Sequence, residues 1–129
     1  MIAKPKKKPS KTALKNKADI LASQYYRALT PHCELSGLDG IQCGGILNWA
    51  HIFSRAILHM RYEPYNHLIL CQGHHTFYTY HPIEWVRVLE KHYPERLQLA
   101  ESNRYKFAKV DYEYWLARFS ADPVPIYQT

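Results

Sequence analysis

The stretch that decides the fold is HIFSRAILHMRYEPYNHLILCQGHH, residues 51–75. It opens with a histidine, carries an asparagine after a Glu-Pro turn, and ends on Cys-Gln-Gly-His-His. β-favourable residues at both ends predict two short strands, one over residues 46–53 with Trp49 facing the core and one over residues 66–70. A tight Cys-Gln-Gly-His turn follows, and a helix is predicted to begin near His74. The segment therefore predicts a hairpin followed by a helix.

Four side chains are candidates for a structural metal site. Cys71 and His74 have the Cys-x-x-His spacing that lets both ligands of a tight turn bind one ion. Cys33 and Cys43, from the turn-rich loop before the first strand, would complete a tetrahedral set of three cysteines and one histidine. A closed site of this kind holds Zn²⁺ structurally, because it leaves no coordination position for water or substrate.

The first half of this metal site departs from the usual spacing. Nine residues separate Cys33 from Cys43, whereas tight zinc knuckles have about two to four. Ser36 stands where a Cys-x-x-Cys pair would have its second cysteine, and His32 is an alternative ligand. A competing interpretation is that the three cysteines are buried free thiols that act as small apolar residues.

Helices are predicted on both sides of the hairpin. The first carries apolar residues at three- and four-residue spacings and ends before Pro31, and another has Pro82 at its first position. The predicted helices cover residues 13–29, 82–93, 95–105 and 111–119. The predicted fold class is therefore α+β: a small ββα core with a zinc knuckle, flanked by N-terminal and C-terminal helices.

Positive charge is concentrated in an N-terminal tail. Residues 1–18 contain seven lysines and no acidic residue, a charge of +7, whereas the other 111 residues contain ten Lys or Arg against eleven Asp or Glu, a charge of −1. Residues 1–12 are predicted to be a disordered basic tail, and residues 13–129 a single domain. Such a tail adds salt-sensitive affinity for DNA, with a solvated leader that has no partner as the alternative. The lysines expected to contact DNA are Lys6, Lys7 and Lys8.

Composition restricts the class of protein. No apolar run approaches the roughly 20 residues of a membrane-spanning helix, and no apolar segment follows the charged N-terminus, so no secretory signal is predicted. Three cysteines cannot all pair, and without export they are expected to stay reduced in the cytoplasm. Thiols beside histidines in such a chain favour metal binding over disulfides.

His51, Asn66 and His75 together offer the residue types that phosphodiester hydrolysis requires. The reaction needs a base to activate water and a cation to offset the phosphate charge. A histidine suits the base because its ordinary pKa of about 6.5 leaves it largely neutral at working pH. A second histidine and an amide oxygen suit a divalent ion that keeps most of its waters. Each residue alone is more commonly structural, so the hypothesis depends on their grouping around one knuckle.

The order His51, Asn66, His75, with a metal knuckle beside the last histidine, resembles the HNH (ββα-metal) endonuclease superfamily. Within it, the segments AHIFSR and MRYEPYNHLILCQGHHTFYTYHPIEW look most like phage recombination nucleases of the NinG/Rap type. The shared features are a His-Ile-x-Ser-Arg segment, an Arg-aromatic pair ahead of the asparagine, and a Thr-x-His-Pro-x-Glu-Trp tail. The resemblance covers roughly residues 33–90.

The resemblance implies a metal-dependent DNA endonuclease with a role for each residue. His51 would be the general base that activates water, Asn66 would orient His51 and hold the loop between the strands, and His75 would bind the catalytic Mg²⁺ or Mn²⁺. Arg55 and Arg61 would contact phosphate without reading the DNA sequence. The structural zinc ligands that it implies are Cys33, Cys43, Cys71 and His74.

The resemblance also implies a substrate and a setting. Branched or recombination-intermediate DNA is the expected substrate. Symmetric cleavage of a four-way junction would require two sites and hence a homodimer. A phage-encoded protein of this kind would act in the cytoplasm of its bacterial host.

The residue before the expected base departs from the family pattern. Many HNH nucleases have an acidic residue or a second histidine there as a metal ligand, and here the residue is Ala50. The catalytic ion would then have His75, with Asn66, water and substrate oxygens, which predicts weak metal binding without DNA. Two alternatives stand beside the nuclease: a catalytically degenerate, zinc-stapled nucleic-acid-binding module, and a protein-interaction domain whose lysine tail serves solubility.

The remaining histidines and aromatics carry weaker expectations. His59 and His67 are expected at the surface or along the groove, and His81 is expected to cap the helix that starts at Pro82. An aromatic cluster near the C-terminus is expected to be core at its helical spacing, with stacking on unpaired bases as the alternative. Its members are Tyr105, Phe107, Tyr112, Tyr114, Trp115 and Phe119.

Overall fold

An antiparallel hairpin of two strands lies between two groups of helices. The computed structural model describes residues 8–121 of the chain. The helices and strands, in chain order, are α1 (Lys11–Leu29), β1 (Leu47–His51), β2 (His67–Cys71), α2 (Gln72–Thr79), α3 (Pro82–His92), α4 (Pro94–Asn103) and α5 (Tyr112–Ser120). The predicted α+β class and the predicted hairpin followed by a helix are confirmed.

The predicted boundaries agree with the structure to within a few residues. β1 occupies the centre of the predicted first strand, and β2 begins one residue later than predicted. α1 begins at Lys11 because the hydroxyl of Ser10 caps it, accepting a hydrogen bond from the backbone N–H of Ala13 at 3.1 Å. The helix thus starts two residues ahead of the predicted boundary, and residues 1–7 of the predicted tail lie outside the described residues.

Both faces of the hairpin are covered, which is why all five residues of β2 are buried. Ala50, Leu68 and Leu70 face one core, whereas Trp49 and Ile69 face the other. A strand that is buried on both sides has a continuous apolar run in place of an alternating one, and the Leu-Ile-Leu of β2 is such a run. The register pairs β1 and β2 without a bulge, so the two strand ends beside the loop lie opposite each other.

The first core joins α1 and α5 to the Trp49 face of the hairpin. The apolar stripe predicted for α1 is confirmed at Ala18 and Ala22, which are fully buried, and Trp49 faces this core as predicted. Small residues here let the helix approach the sheet closely, and aromatic rings fill the remaining space. Those rings come from Tyr25, Tyr26, Trp49, Tyr62 and Phe119.

The second core joins α2 and α3 to the opposite face of the hairpin. Tyr78 of α2 and Val88 and Leu89 of α3 pack here with the apolar side of the loop between α1 and β1. α3 begins at Pro82 as predicted, because the fixed φ of proline suits the first turn and its missing N–H has no partner there to lose. No helix within residues 8–121 combines the length and apolar character needed to cross a membrane.

Glu34 holds the loop between α1 and β1 against the outer edge of β2. Its backbone N–H donates to Ile69 O at 2.8 Å, and its carboxylate accepts from Ile69 N at 2.8 Å. Arg96 of α4 donates two hydrogen bonds to the same carboxylate, at 3.0 and 2.8 Å, and the Tyr93 hydroxyl donates to the Glu34 carbonyl. This edge pairing places Cys33 beside the end of β2 that carries Cys71.

His67 is expected to make the chain less stable as the pH falls from 7.5 to 5.5. Burial, with a contribution from Arg96, lowers the pKa of His67 to about 3, whereas an unfolded histidine has a pKa of about 6.5. Below about pH 6.5, His67 binds a proton in the unfolded chain but stays neutral in the folded chain. The free energy of unfolding therefore falls as the pH falls. The free energy of unfolding lost between pH 7.5 and 5.5 should be about 1.4 kcal/mol smaller in His67→Leu than in the wild type. Urea unfolding at the two pH values measures this difference.

The matched control for this pH dependence is His32→Ala, since His32 is exposed. Its unfolding free energy should keep the wild-type slope between pH 7.5 and 5.5. An unchanged slope in His67→Leu would show that His67 titrates normally in the folded chain.

Candidate functional site

The side chains of Cys33, Cys43, Cys71 and His74 converge on one point. Their ligand atoms all lie within 4.8 Å of one another. Nδ1 of His74 lies 3.6 Å from the Sγ atoms of Cys33 and Cys43 and 3.1 Å from that of Cys71. Zn–S bonds of about 2.3 Å and Zn–N bonds of about 2.0 Å in a tetrahedron imply S···N edges of about 3.5 Å. The cluster could therefore hold a metal ion such as zinc, with the ligand set predicted from the sequence.

Two backbone segments create this convergence. Cys71 is the N-cap of α2, and its Sγ accepts a hydrogen bond from the backbone N–H of His74 at 3.4 Å. The preceding loop runs past this helix start, where Gly73 N donates to Gly44 O at 2.9 Å. Gly45 has a φ of +81°, and a Cβ there would lie 2.7 Å from the Cβ of Gln72. A glycine at this position lets the loop come close enough to place Cys43 at the cluster.

Asp39 contacts the metal cluster through His74, and the sequence analysis did not select it. Nε2 of His74 donates to Asp39 Oδ1 at 3.0 Å, so the neutral imidazole carries its proton on Nε2 and its unprotonated Nδ1 faces the three sulfurs. The Tyr78 hydroxyl donates to Asp39 Oδ2 at 2.6 Å, and Ile41 N donates to Oδ1 at 3.1 Å. Burial alone would raise the pKa of Asp39, but the hydrogen bonds from Tyr78 and His74 hold it below its usual value. The carboxylate thus selects the tautomer of His74 that can bind metal.

The thiols of the cluster differ in their readiness to ionise. Burial would raise the pKa of Cys71, but hydrogen bonds from the backbone N–H groups of His74 and Gly44 hold it well below its usual value. Burial raises the pKa of the Cys33 thiol. A metal ion would offset that penalty, because it binds the thiolate form. His32, the alternative ligand, is exposed and does not belong to the cluster.

His51 and His75 line one cleft of about 580 Å³. His51 is the last residue of β1, and His75 lies in the first turn of α2. Ala50 and Leu70 from the hairpin and Trp85 from α3 supply apolar parts of the wall. The structure therefore brings together the two histidines that the sequence analysis selected.

A single hydrogen bond fixes the tautomer of His51. Its Nε2 lies 2.9 Å from the carbonyl oxygen of Arg61, which can only accept, so Nε2 carries the proton and Nδ1 is the basic nitrogen. The imidazole also packs on the Trp49 ring, with 4.2 Å between the ring centroids. Burial, with contributions from Arg55 and Arg61, lowers the pKa of His51 to about 4. His51 is therefore neutral at physiological pH.

Asn66 is fully buried and ties the loop between the strands together. Its Oδ1 accepts from Phe53 N at 2.9 Å, and its Nδ2 donates to Met60 O at 3.2 Å. Its backbone carbonyl accepts from Ile52 N at 2.9 Å. These contacts agree with the expected loop-holding role. The expected orientation of His51 comes from the carbonyl of Arg61, a residue in that loop, and not from the Asn66 amide.

Arg61 differs from the expectation of a phosphate contact. Its guanidinium is nearly buried and donates to both carboxylate oxygens of Asp19, with Nε at 2.7 Å and Nη2 at 2.8 Å. Its Nη1 donates to the carbonyl of Arg55 at 3.0 Å. A bidentate pair of this kind occupies the donors that a phosphate would need. Arg61 therefore braces the loop against α1.

Replacing Asp19 by alanine is expected to lower the free energy of unfolding by about 3 kcal/mol, because it leaves the Arg61 guanidinium buried without its counter-ion. The loss should appear in urea unfolding at neutral pH. Lys15→Ala is the matched control, since Lys15 forms a half-buried pair with the same carboxylate at the longer distance of 3.6 Å and is expected to contribute less than about 1 kcal/mol. Equal losses in the two variants would contradict the assigned role of Arg61.

Arg55 is exposed and lines a groove of about 250 Å³ that also contains Arg27, Arg61 and His75. The groove therefore adjoins the His51 cleft through His75, which lines both. Arg27 was not selected from the sequence, because it lies on α1 far from the motif. Of the three tail lysines expected to contact DNA, Lys8 lies within the described residues and is exposed. Lys6 and Lys7 lie outside the described residues.

Three other histidines have structural partners. His67, expected at the surface or along the groove, is buried, with its ring centroid 4.1 Å from that of Tyr26. His59 Nε2 lies 2.7 Å from the carbonyl of Asn103. His81 occupies the N-cap position of α3, but its side chain makes no capping bond and its Nδ1 lies 2.7 Å from the carbonyl of Phe77.

Comparisons of the chain with protein-family models, with curated proteins and with solved structures found no match. The chemistry of the site therefore depends on its own geometry. Within residues 8–121, the cysteine-histidine cluster is the one grouping of three or more His, Cys, Asp or Glu side chains that could hold a metal.

Proposed function

We propose that this chain is a metal-dependent DNA endonuclease of the HNH kind, which hydrolyses phosphodiester bonds on a zinc-braced hairpin and helix. The observation that carries the proposal is the pairing of His51 and His75 in one cleft, with Nε2 of His51 tied to a backbone carbonyl. That bond leaves Nδ1 as a neutral base, which is the state that water activation requires.

The proposed reaction begins with proton transfer to Nδ1 of His51. The water oxygen that loses this proton attacks the phosphorus, and the bond from phosphorus to the leaving sugar oxygen breaks. That oxygen takes up a proton from solvent water, and the protonated His51 returns its proton to solvent. A Mg²⁺ or Mn²⁺ ion held by His75, water and phosphate oxygens would supply the positive charge that offsets the charge developing on the phosphate. The Arg61 carbonyl keeps the imidazole of His51 oriented and stabilises it as it becomes protonated.

Cations around the cleft suit the phosphate backbone of DNA. Arg55 and Arg27 line the groove that adjoins His75, and Arg55 is exposed. Lysines before α1, including the proposed DNA contacts Lys6, Lys7 and Lys8, would add affinity that falls with salt. Contacts of this kind position DNA without reading its sequence. Branched DNA, a homodimer at four-way junctions and action in a bacterial host are the more specific parts of the proposal, and they derive from the resemblance to recombination nucleases.

A second candidate function is a zinc-stapled module that binds nucleic acid without cutting it. The observation that favours it is Ala50, which places a methyl group in the cleft wall where related nucleases have a metal ligand. The low pKa of His51, about 4, also makes it a weak base before substrate binds. DNA phosphates would raise this pKa by favouring the protonated form. The two candidates therefore differ in whether DNA and metal together produce cleavage.

A nicking assay on supercoiled plasmid separates the two candidates. Zinc-loaded chain is incubated with added Mg²⁺ or Mn²⁺, and linear, nicked, flap and four-way substrates are compared in parallel. The endonuclease predicts cleavage that needs the added ion and disappears in His75→Ala. DNA binding in a gel shift, with no cleavage under any divalent ion, would contradict the endonuclease proposal and favour the binding module.

A further inference from the structure

The segment between α4 and α5 exposes two aromatic side chains beside three cations. Tyr105 is 76% exposed and Phe107 is fully exposed, at 104%. Residues 104–110 read RYKFAKV, with three basic residues and no acidic one, and the side chains of Lys106 and Lys109 are exposed. Large aromatics left in water beside a set of cations mark a binding surface more often than a packing defect.

These two rings are separated from the rest of the C-terminal aromatic cluster. Trp115 and Phe119 of α5 pack into the first core, where their centroids lie 6.0 Å from that of Tyr62. Tyr105 and Phe107 lie in the non-helical connection before α5, so helical spacing does not turn them inward. The core explanation therefore accounts for Tyr112, Trp115 and Phe119, whereas Tyr105, Phe107 and Tyr114 are exposed and the prediction that they belong to the core is wrong.

The surface is held in place by contacts with the loop that follows β1. The guanidinium of Arg104 lies 4.5 Å from the Tyr105 ring centroid and 4.9 Å from that of Phe53. A hydrogen bond of 2.7 Å joins His59 Nε2 to the carbonyl of Asn103. A groove of about 430 Å³ runs between this loop and the aromatic segment, with Leu58 and Phe107 among its lining residues. The surface is thus attached to the same loop that Asn66 ties to the end of β1.

We propose that Tyr105 and Phe107 stack on unpaired nucleobases of DNA while Arg104, Lys106 and Lys109 contact the neighbouring phosphates. The inference rests on the proposed function and deepens it by naming DNA with single-stranded segments as the preferred substrate class. Base faces are covered by their neighbours inside a duplex, so exposed rings gain stacking partners only where bases are unpaired. The absence of acidic residues from residues 104–110 suits a polyanion and disfavours a basic peptide.

Fluorescence anisotropy of full-length, zinc-loaded chain tests this surface without added Mg²⁺ or Mn²⁺. Three labelled DNAs are compared: a blunt duplex, the same duplex with a single-stranded extension of about ten nucleotides, and the same extension made of abasic sites. The abasic extension keeps the phosphate charge and lacks the nucleobases. The test variant is the double substitution Tyr105→Ala, Phe107→Ala. Tyr80→Ala is the matched control, since Tyr80 is 77% exposed and lies outside the segment.

The wild type is expected to bind the base-carrying extension about tenfold or more tightly than the abasic one. The double variant should lose this preference while Tyr80→Ala keeps it, and blunt-duplex binding should change little. Equal binding of the two extensions by the wild type, or an undiminished preference in the double variant, would overturn the proposal. A third outcome would also overturn the proposal: a wild type that is a dimer in gel filtration and a double variant that is a monomer with unchanged base preference. The surface would then join two copies of the chain.

The plasmid nicking assay keeps this outcome separate from that of the proposed function. Nicking by a wild-type chain that shows no base preference would contradict the stacking proposal and support the endonuclease proposal. A base preference in a chain that never nicks would support the surface and remove the endonuclease.

Discussion

Replacing His51 by alanine is expected to lower the rate of plasmid nicking by about 10²- to 10⁴-fold, the usual contribution of a general base. The reason is that the neutral Nδ1 of His51 is the proposed proton acceptor for the attacking water. Binding of the same plasmid and the zinc content should stay unchanged, because neither depends on Nδ1. Initial nicking rates, measured with saturating Mg²⁺ and equal chain concentrations, give the comparison.

His51→Gln separates loss of the base from loss of the local structure. A glutamine amide can still donate to the Arg61 carbonyl, which His51 contacts at 2.9 Å, but it has no basic nitrogen. The rate should therefore fall as far as in His51→Ala, while the unfolding transition stays closer to that of the wild type. His32→Ala, at an exposed histidine outside the cleft, should keep the wild-type rate. A His51→Gln variant that nicks normally would exclude His51 as the base.

Removing the metal is expected to have the largest effect on stability. Zinc-finger peptides gain about 10–16 kcal/mol from a structural zinc site, whereas a small domain has only about 5–15 kcal/mol of total stability. The chain should therefore contain about one zinc ion when purified, and a strong chelator should abolish its cooperative unfolding transition. Cys71→Ser should lower the free energy of unfolding by more than about 4 kcal/mol, since Cys71 supplies both a ligand and the N-cap of α2.

Two controls make the zinc prediction specific. Ser36→Ala changes the position where a shorter knuckle would have its second cysteine, and Ser36 is exposed and absent from the cluster. His32→Ala changes the alternative ligand. Both variants should keep about one zinc per chain and the wild-type melting temperature. Purified chain without zinc that unfolds cooperatively, at a temperature that chelators do not change, would show that the three cysteines are ordinary free thiols.

The sequence predicted the features that depend on short stretches of chain. Helical and strand periodicity, together with Pro31 and Pro82 as helix boundaries, placed every main element to within a few residues. The Cys-x-x-His spacing identified one half of the metal cluster because Cys71 and His74 belong to one tight turn. Cys33 and Cys43 were selected by residue type. The pairing of Glu34 with β2 positions Cys33, and the hydrogen bond between Gly73 and Gly44 positions the loop that carries Cys43, and no local sequence pattern indicates either contact.

The features that the sequence did not predict are long-range pairs of charged and polar groups. Arg61 lies inside the motif, so its position suggested a phosphate contact, but its partner Asp19 is 42 residues away on α1. Asp39 is 35 residues from His74, and its one sequence signal is the Asp-Gly turn that it begins. An ion pair requires only that two side chains meet, so neither spacing nor composition indicates which ones do.

The most direct test of the central claim is the nicking of supercoiled plasmid by zinc-loaded chain, followed as a function of added Mg²⁺ or Mn²⁺. Wild type and His32→Ala are expected to nick only when the ion is added, and His51→Gln and His75→Ala are expected to lose nicking while they still bind the plasmid. Equal nicking by all four proteins would contradict the account, and so would a wild type that carries zinc, binds DNA and cuts nothing with either ion.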